Sequence, residues 1–434
     1  MLAALAVAGA AAEPLSSEVQ HLLQTNPRVL GAVKQLEAAE HEVRVARADY
    51  LPTVSLRGDA GPEYIDTPSS RRLRGEAGRS DLVRRTASLA VTQRLFDGSL
   101  RSANLGAAQI AARLAELNLR FTAQNVIYQA CLAYMDTLRQ AELIRLATEN
   151  MRVIQTQMGL EDERVSRGSG VAVDVLLAKT RLQLATERVV AFEGSLKAAQ
   201  ARYAQLFGKP PAAAGMTRPE LRLEWLPPTL EDAHRAASDD NVSLAIAAEE
   251  VRLAEQHRRS AAAARWPKLD LVGSVGYEED LASLPGSGDQ YSVLLTITWD
   301  IFTGSRVRSQ VAAMTARRER AQLTAEDVHR QVTEDVTRAF EALETARRRV
   351  EMLTNASTIA EEVFDARVRL REAGSETAIN VLDARSETFR ARINLTEAEF
   401  DSDAALLRLM LTAGRLEPAF LGAETPLDLA GLLQ

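Results

Sequence analysis

The two halves of this 434-residue chain repeat one pattern, and this duplication restricts the fold more than any other sequence feature. Asn26 in the first half recurs as Asn241 in the second half. The proline between the predicted helix and the predicted first strand of each half recurs after the same number of positions. Farther along, the motif LFDGS beginning at Leu95 recurs as IFTGS beginning at Ile301, at a shorter displacement. The difference corresponds to an extra polar stretch around Thr67 to Gly75, which we interpret as a longer hairpin loop. The halves are therefore predicted to share one architecture.

Each half is predicted to contain a helix, two strands, one very long helix and one shorter helix. The strands are predicted from apolar–polar alternation, and the long helices from runs without proline and almost without turn-forming residues. A proline-rich linker separates the halves. The predicted boundaries are 13–207 for the first repeat (strands 53–64 and 87–96, helices 98–167 and 171–207), 208–230 for the equatorial linker, 231–413 for the second repeat (strands 268–279 and 290–301, helices 304–373 and 377–413) and 414–434 for a C-terminal segment.

The predicted strands each have one apolar and one polar face. Their length suits a tilted crossing of a bilayer, whose strands need about 9–11 residues. Four strands leave two open edges, so a membrane barrel would need strands from several chains. A soluble sheet with one hydrated face is the alternative. The clearest apolar face is that of the fourth strand, formed by Tyr291, Val293, Leu295, Ile297, Trp299 and Ile301.

Apolar residues along each long helix recur at alternating steps of four and three, which is typical of a coiled coil. At 1.5 Å per residue each helix would be roughly 100 Å long, more than an ordinary globular core can cover. Extended helical packing is therefore predicted. The seam comprises Val126, Ala130, Ala133, Thr137, Ile144 and Ala147 in the first repeat, and Val332, Val336, Ala339, Leu343, Ala346, Val350 and Leu353 in the second.

Composition and charge argue against several classes of function. A net charge of −7 disfavours nucleic acid as a partner, because phosphate binding needs a concentrated basic surface. Cys131 is the single cysteine, so neither an internal disulfide nor a thiolate metal cluster is predicted. The five histidines have no metal-ligand spacing, and we find no nucleophile motif or phosphate-binding loop. We therefore predict no catalytic, cofactor-binding or metal-binding residue and no enzyme activity.

The N-terminus indicates export. Residues 1–12 form a short apolar run that ends in an A-x-A-like site, as in the last part of a secretory signal. Because a basic segment does not precede this run, a merely apolar N-terminus is the alternative. Elsewhere we find no run of 18 or more apolar residues, so strands rather than helices would have to cross any membrane.

Several motifs together resemble the TolC family of outer-membrane efflux and secretion proteins, over residues 15–415. They are Asn26-Pro27 at a helix start, Tyr50-Leu51-Pro52 before a strand, LFDG at 95–98, and Arg167-Gly168-Ser169-Gly170 before Asp174-Val175-Leu176. The resemblance implies a mainly α protein with membrane β-structure. In such a homotrimer, three chains each supply four strands to one twelve-stranded barrel in outer-membrane lipid, and a long α-helical coiled-coil barrel extends into the periplasm.

The resemblance also implies that function concentrates at the turns between long and shorter helices. There the family meets a periplasmic adaptor and closes its tunnel. Asp383 matches one position of an acidic ring, whereas Asn380 replaces the other and Glu376 stands where a relative has arginine. Symmetry-related carboxylates in a narrow mouth would favour cations. The gate candidates are Asp174, Arg371, Glu376, Asn380 and Asp383, and the adaptor-contact candidates are Arg167, Gly168, Ser169, Gly170, Glu372, Gly374 and Ser375.

The function implied is that of a passive export duct without a cofactor, working with an adaptor (membrane fusion protein) and an inner-membrane ABC or RND transporter. The strand region with its long polar loop favours type I protein secretion. The alternatives are an RND-type drug or metal efflux component, and a periplasmic coiled-coil adaptor or scaffold. The duplication of strands and helices argues against the adaptor, which would carry one helical hairpin flanked by β-rich domains.

Overall fold

A computed structural model describes residues 15–63, 68, 72, 83–168, 171–212, 215–219, 221–280 and 286–422. The predicted signal segment 1–12, most of the polar stretch 67–75, Ser169 and Gly170, and the end of the predicted C-terminal segment lie outside these residues. Contacts divide the chain into two units. One contains residues 1–34, 117–245 and 327–434, and the other contains residues 35–116 and 246–326.

The described chain is mainly helical, with one four-stranded sheet, which confirms the predicted fold class. Each repeat supplies two helices, two strands, one helix of 67 residues and one shorter helix. In chain order the elements are α1 Leu15–Thr25, α2 Pro27–Ala48, β1 Thr53–Pro62, β2 Val83–Phe96, α3 Leu100–Ser166, α4 Ala172–Phe207, α5 Leu230–Asp240, α6 Val242–Ala263, β3 Lys268–Glu279, β4 Ser287–Thr298, α7 Arg306–Glu372 and α8 Ala378–Thr412.

The repeated asparagines are helix caps. Asn26 Oδ1 accepts a hydrogen bond from Arg28 N at 2.9 Å at the start of α2. Asn241 Oδ1 likewise accepts from Ser243 N at 2.9 Å and Leu244 N at 3.3 Å at the start of α6. Asparagine suits this position because its side-chain oxygen satisfies backbone N–H groups that the first helical turn leaves unpaired.

The repeated LFDGS and IFTGS motifs form the turns between strands and long helices. Gly98 and Ser99 have φ of 65° and 73°, and Gly304 and Ser305 have φ of 59° and 67°. The repeats diverge in the cap. The Asp97 carboxylate accepts from Leu100 N and Arg101 N, both at 3.1 Å, and pairs with Arg101 Nε at 2.9 Å. Since Thr303 stands at the equivalent position, the second repeat lacks this carboxylate.

The four strands are antiparallel and lie in the order β1-β2-β3-β4, so the β2–β3 pairing joins the two repeats. β3 has the predicted bounds, whereas β2 begins four residues earlier than predicted, at Val83. Arg84 and Arg85 interrupt its apolar pattern, but both are paired with carboxylates of the sheet, Glu63 at 3.1 Å and Glu279 at 3.2 Å.

The other two strand predictions extended too far at their ends, and the prediction for β4 also began three residues too late. β1 ends at Pro62 rather than at residue 64, because proline has no N–H for the ladder. β4 spans Ser287–Thr298 and therefore ends before Trp299 and Ile301. Trp299 follows the strand, and its indole Nε1 donates to the carbonyl of Arg265 at 3.2 Å. The apolar alternation thus continues past the last ladder residue into the connection.

One face of the sheet is apolar across all four strands and is exposed. The register aligns Leu56 with Leu89, Leu89 with Val275 and Val275 with Tyr291. The opposite face is polar, with Arg94 and Asp270 paired at 2.9 Å. An apolar face of this extent needs a cover of lipid or protein. Its exposed members include Val54, Leu56, Leu89, Val91, Leu271, Val275, Tyr277, Tyr291, Val293, Leu295 and Ile297.

The predicted seam is largely buried. In α3, residues 126, 130, 133, 137 and 147 are at most 2% exposed, but Leu143 is buried in place of Ile144. In α7, residues 336, 339, 343 and 346 are buried, while 332, 350 and 353 are partly exposed. Among the described residues, none of the helices is both long and apolar enough to span a membrane.

Candidate functional site

One turn follows each long helix and precedes the shorter helix. We call residues 167–170 the first tip turn and residues 372–375 the second tip turn. Gly168 and Gly374 have φ of 77° and 78°, a conformation that favours glycine. Ser375 N donates to Leu370 O and Gly374 N to Arg371 O, both at 3.0 Å, which ends α7. Ser169 and Gly170 lie outside the described residues.

A partly buried ion pair joins α3 to α7 just behind these turns. Arg371 Nη2 lies 2.8 Å from both carboxylate oxygens of Glu161. Glu161 is only 4% exposed, although it is charged. Arg164 Nη1 also approaches Glu161, at 3.3 Å. Because breaking a buried pair leaves an uncompensated charge, this contact holds the two long helices together at the tip.

Glu376 organises the start of α8. Arg371 Nη1 donates to the Glu376 carbonyl at 2.8 Å, and Arg367 pairs with the Glu376 carboxylate at 3.2 Å. The same carboxylate accepts from the Asn380 amide and from Thr377 N, the latter at 2.9 Å. The hydrogen bond from Asn380, followed by those from Thr377 and the charges of the two arginines, lowers the pKa of Glu376.

This lowered pKa makes the tip sensitive to acid. A carboxyl with a lowered folded-state pKa contributes stability above its ordinary pKa and loses it as pH falls through the folded value. Below the ordinary value of about 4.5, acidification is therefore expected to loosen the start of α8, with Glu376→Gln removing that part of the response. Amide hydrogen exchange of residues 376–382 as a function of pH would measure it. Glu372→Gln, a change at an exposed neighbour, should leave the pH response intact; an unchanged response in Glu376→Gln would contradict the assignment.

The remaining acidic candidates lie apart from this cluster. Asp383, which we grouped with Arg371 and Glu376, instead pairs with Arg181 of α4 at 2.8 Å. Asp174 lies partly exposed in the first turn of α4 and forms no ion pair with a described residue. The structure therefore brings Arg371, Glu376 and Asn380 together and places the two aspartates at separate positions.

A second layer of charges lies farther along the same helices. Arg385 of α8 is buried, donates to Asn150 at 3.2 Å and lies 3.6 Å from Glu149. Burial lowers the pKa of its guanidinium, while Glu149 opposes that shift. Arg392 bridges Glu149, at 3.0 Å, and Glu361. This layer connects α3, α7 and α8.

The sequence analysis missed Glu161, Asn150 and Arg385, although a signal for the first two was present. Glu161 continues the four–three seam of Ile154 and Met158, and Asn150 precedes Ile154 by four residues. A polar residue in a coiled-coil seam needs a partner and often fixes register. Those two positions could therefore have been predicted as interhelical contacts, whereas their arginine partners could not.

Within the described ranges, no group of three or more His, Cys, Asp or Glu side chains is placed to hold a metal ion. Burial raises the pKa of the Cys131 thiol to about 12, so this thiol stays protonated.

An apolar sheet face in one unit and charged turns between paired helices in the other are the features of an export protein of the outer membrane. A family model described as outer membrane efflux protein matches residues 19–209 and 234–415, and this chain belongs to that family. This membership confirms the resemblance to TolC-type proteins, the outer-membrane location and the general role in export.

Individual proteins are similar over nearly the whole chain. The outer membrane efflux protein BepC of Brucella suis is 24% identical, covering 96% of this chain and 88% of BepC. The alkaline protease secretion protein AprF of Pseudomonas aeruginosa is also 24% identical, covering 93% and 86%. The solved structure of the outer membrane protein VceC from Vibrio cholerae covers 92% of this chain and 96% of that chain, with a TM-score of 0.79 and 19% identity.

Proposed function

We propose that three copies of this chain form a passive duct whose barrel contains twelve strands, four from each copy. The exposed apolar face across all four strands carries this proposal, because bilayer lipid is the cover that fits it. β1 and β4 each have one neighbouring strand within the described sheet, so their outer edges need strands from another chain. A trimer satisfies both requirements.

The tip contacts close this duct in the resting state. The Glu161–Arg371 pair fixes α7 to α3, and Glu376 fixes the start of α8 to Arg367 and Arg371. An adaptor that binds the exposed tip turns would open the mouth by replacing these contacts. To shift the mouth from 99% closed to 99% open, the adaptor would have to bind the open state more tightly than the closed state by about 5.5 kcal/mol.

The partners of the duct are a periplasmic adaptor and an inner-membrane ABC transporter for type I protein secretion. The name of the relative AprF, which concerns protease secretion, supports this choice. The name of BepC, which concerns efflux, supports an RND-type pump as the alternative. Export of a reporter protein and of a dye, in cells lacking one or the other transporter class, separates these two possibilities.

Channel recordings test the proposed function. The purified protein should be a trimer by mass in detergent and should give a small, cation-selective conductance in planar bilayers. Asp383→Ala is expected to lower the preference for cations more than Asp174→Ala, because it also leaves Arg181 without its partner. A monomer without conductance would overturn the duct and favour a scaffold. If both variants keep the ion selectivity of the wild type, the two aspartates do not line the mouth of the duct.

A further inference from the structure

One end of the sheet is bordered by arginines. β1 and β3 begin at this end and β2 and β4 finish there, because the strands are antiparallel. The connections at this end lead from the ends of α2 and α6 and to the starts of α3 and α7. These segments carry Arg44, Arg47, Arg265, Arg306 and Arg308, which we call the arginine border.

The arginine border consists of exposed guanidinium groups. All five residues are exposed, and their side chains form no ion pair with any residue in the described part of the chain. Other arginines of the sheet are paired, such as Arg84 with Glu63 at 3.1 Å and Arg94 with Asp270 at 2.9 Å. The guanidinium groups of the border are therefore accessible to an external anion.

Large apolar side chains lie beside the border. Trp266 is 60% exposed, Trp299 is 54% exposed and Phe302 is 88% exposed. The Trp299 indole donates to the Arg265 carbonyl at 3.2 Å, which places one tryptophan directly against the border. Tryptophan next to an apolar strand face is typical of the level of lipid headgroups.

We propose that the arginine border binds the headgroups of anionic phospholipids. The apolar sheet face contacts the acyl chains, and the guanidinium groups meet the phosphates, for which arginine provides a planar, two-point donor geometry. The border lies on the helical side of the sheet, so the lipids belong to the leaflet that faces the helices. This inference rests on the proposed insertion of the sheet into a membrane.

Tryptophan quenching tests the proposal on the full-length protein. The chain has three tryptophans, so Trp225→Phe leaves Trp266 and Trp299 as reporters beside the border. The trimer is reconstituted into phosphatidylcholine vesicles that contain a minor share of phosphatidylglycerol, with either one or the other lipid brominated. Brominated phosphatidylglycerol is expected to quench more strongly than its share of the lipid predicts. Added salt should reduce this excess quenching, because it screens the attraction between the arginines and the anionic headgroups.

Matched variants test whether the lipid preference depends on the arginine border or on positive charge anywhere on the protein. Arg47→Gln, Arg265→Gln and Arg306→Gln together are expected to lower the preference for phosphatidylglycerol, roughly fivefold for each arginine. Arg320→Gln, Arg330→Gln and Arg348→Gln, exposed and unpaired positions farther along α7, should leave the preference unchanged. Wild-type quenching by each lipid in proportion to its share, or an excess lost equally in both triple variants, would overturn the headgroup proposal while keeping insertion. Absence of quenching by either lipid would instead contradict insertion itself.

Discussion

Arg371→Ala is expected to weaken the tip by about 3–5 kcal/mol and to increase the resting conductance of the channel. The substitution leaves the Glu161 carboxylate, whose side chain is 5% exposed, without the arginine that contacts both of its oxygens. Arg164, at 3.3 Å, compensates only in part. Amide exchange near residues 158–164 should accelerate by roughly two to four orders of magnitude, if the local opening energy falls by this amount. Single-channel recording measures the consequence for conduction.

Arg369→Ala is the matched control. Arg369 lies in the same last turn of α7 but is exposed and pairs with none of the described residues, so its loss should change little. Glu161→Ala combined with Arg371→Ala should be less damaging than the sum of the single changes, because neither charge is then left alone. Strict additivity, or equal effects of the two arginine variants, would show that the pair does not close the tip.

Gly414→Ala is expected to destabilise the folded protein by about 3–5 kcal/mol. Gly414 has φ of 77°, and a Cβ there would lie 2.3 Å from Asp240 O and 2.7 Å from Asn241 N. Both are backbone atoms of the α5–α6 junction, which Asn241 and Arg415 further tie to this region. The clash cannot be relieved by moving a side chain. Urea denaturation of the detergent-solubilised trimer measures the change.

Gly208→Ala provides the control for backbone strain alone. Gly208 occupies the equivalent position of the first repeat, after α4, and has φ of 70°. A Cβ there meets nothing within 4 Å, so only the cost of the left-handed conformation remains, about 1 kcal/mol. If the two alanine variants lose equal stability, the close contact at Gly414 does not contribute.

Sequence patterns predicted the local elements better than their contacts. The asparagine caps and the glycine turns recur because each satisfies a local backbone requirement, which the duplicated motifs reveal. β2 begins earlier than predicted because the apolar–polar alternation does not extend to Arg84 and Arg85. Their partners Glu63 and Glu279 come from other strands, and no local pattern identifies them.

The candidate gate was predicted only in part for the same reason. Arg371 and Glu376 lie five residues apart across one turn, and the family resemblance grouped both among the gate candidates. Glu161 contacts Arg371 across 210 positions of sequence, and Asp383 contacts Arg181 across 202. Such pairings depend on which helices pack together, which alternation and spacing do not specify. The seam position of Glu161 indicates only that a partner is needed.

The junction between the two repeats has a consequence for folding. β2 pairs with β3, so Arg85 meets Glu279 from 194 positions away, whereas each hairpin pairs strands that are close in sequence. A two-stranded hairpin is at best marginally stable, so the first hairpin cannot persist alone. Its partner strand is synthesised only after all of α3 and α4, and pairing at this separation is slow. Sheet formation in this protein is therefore a late event, governed by the arrival of the second repeat.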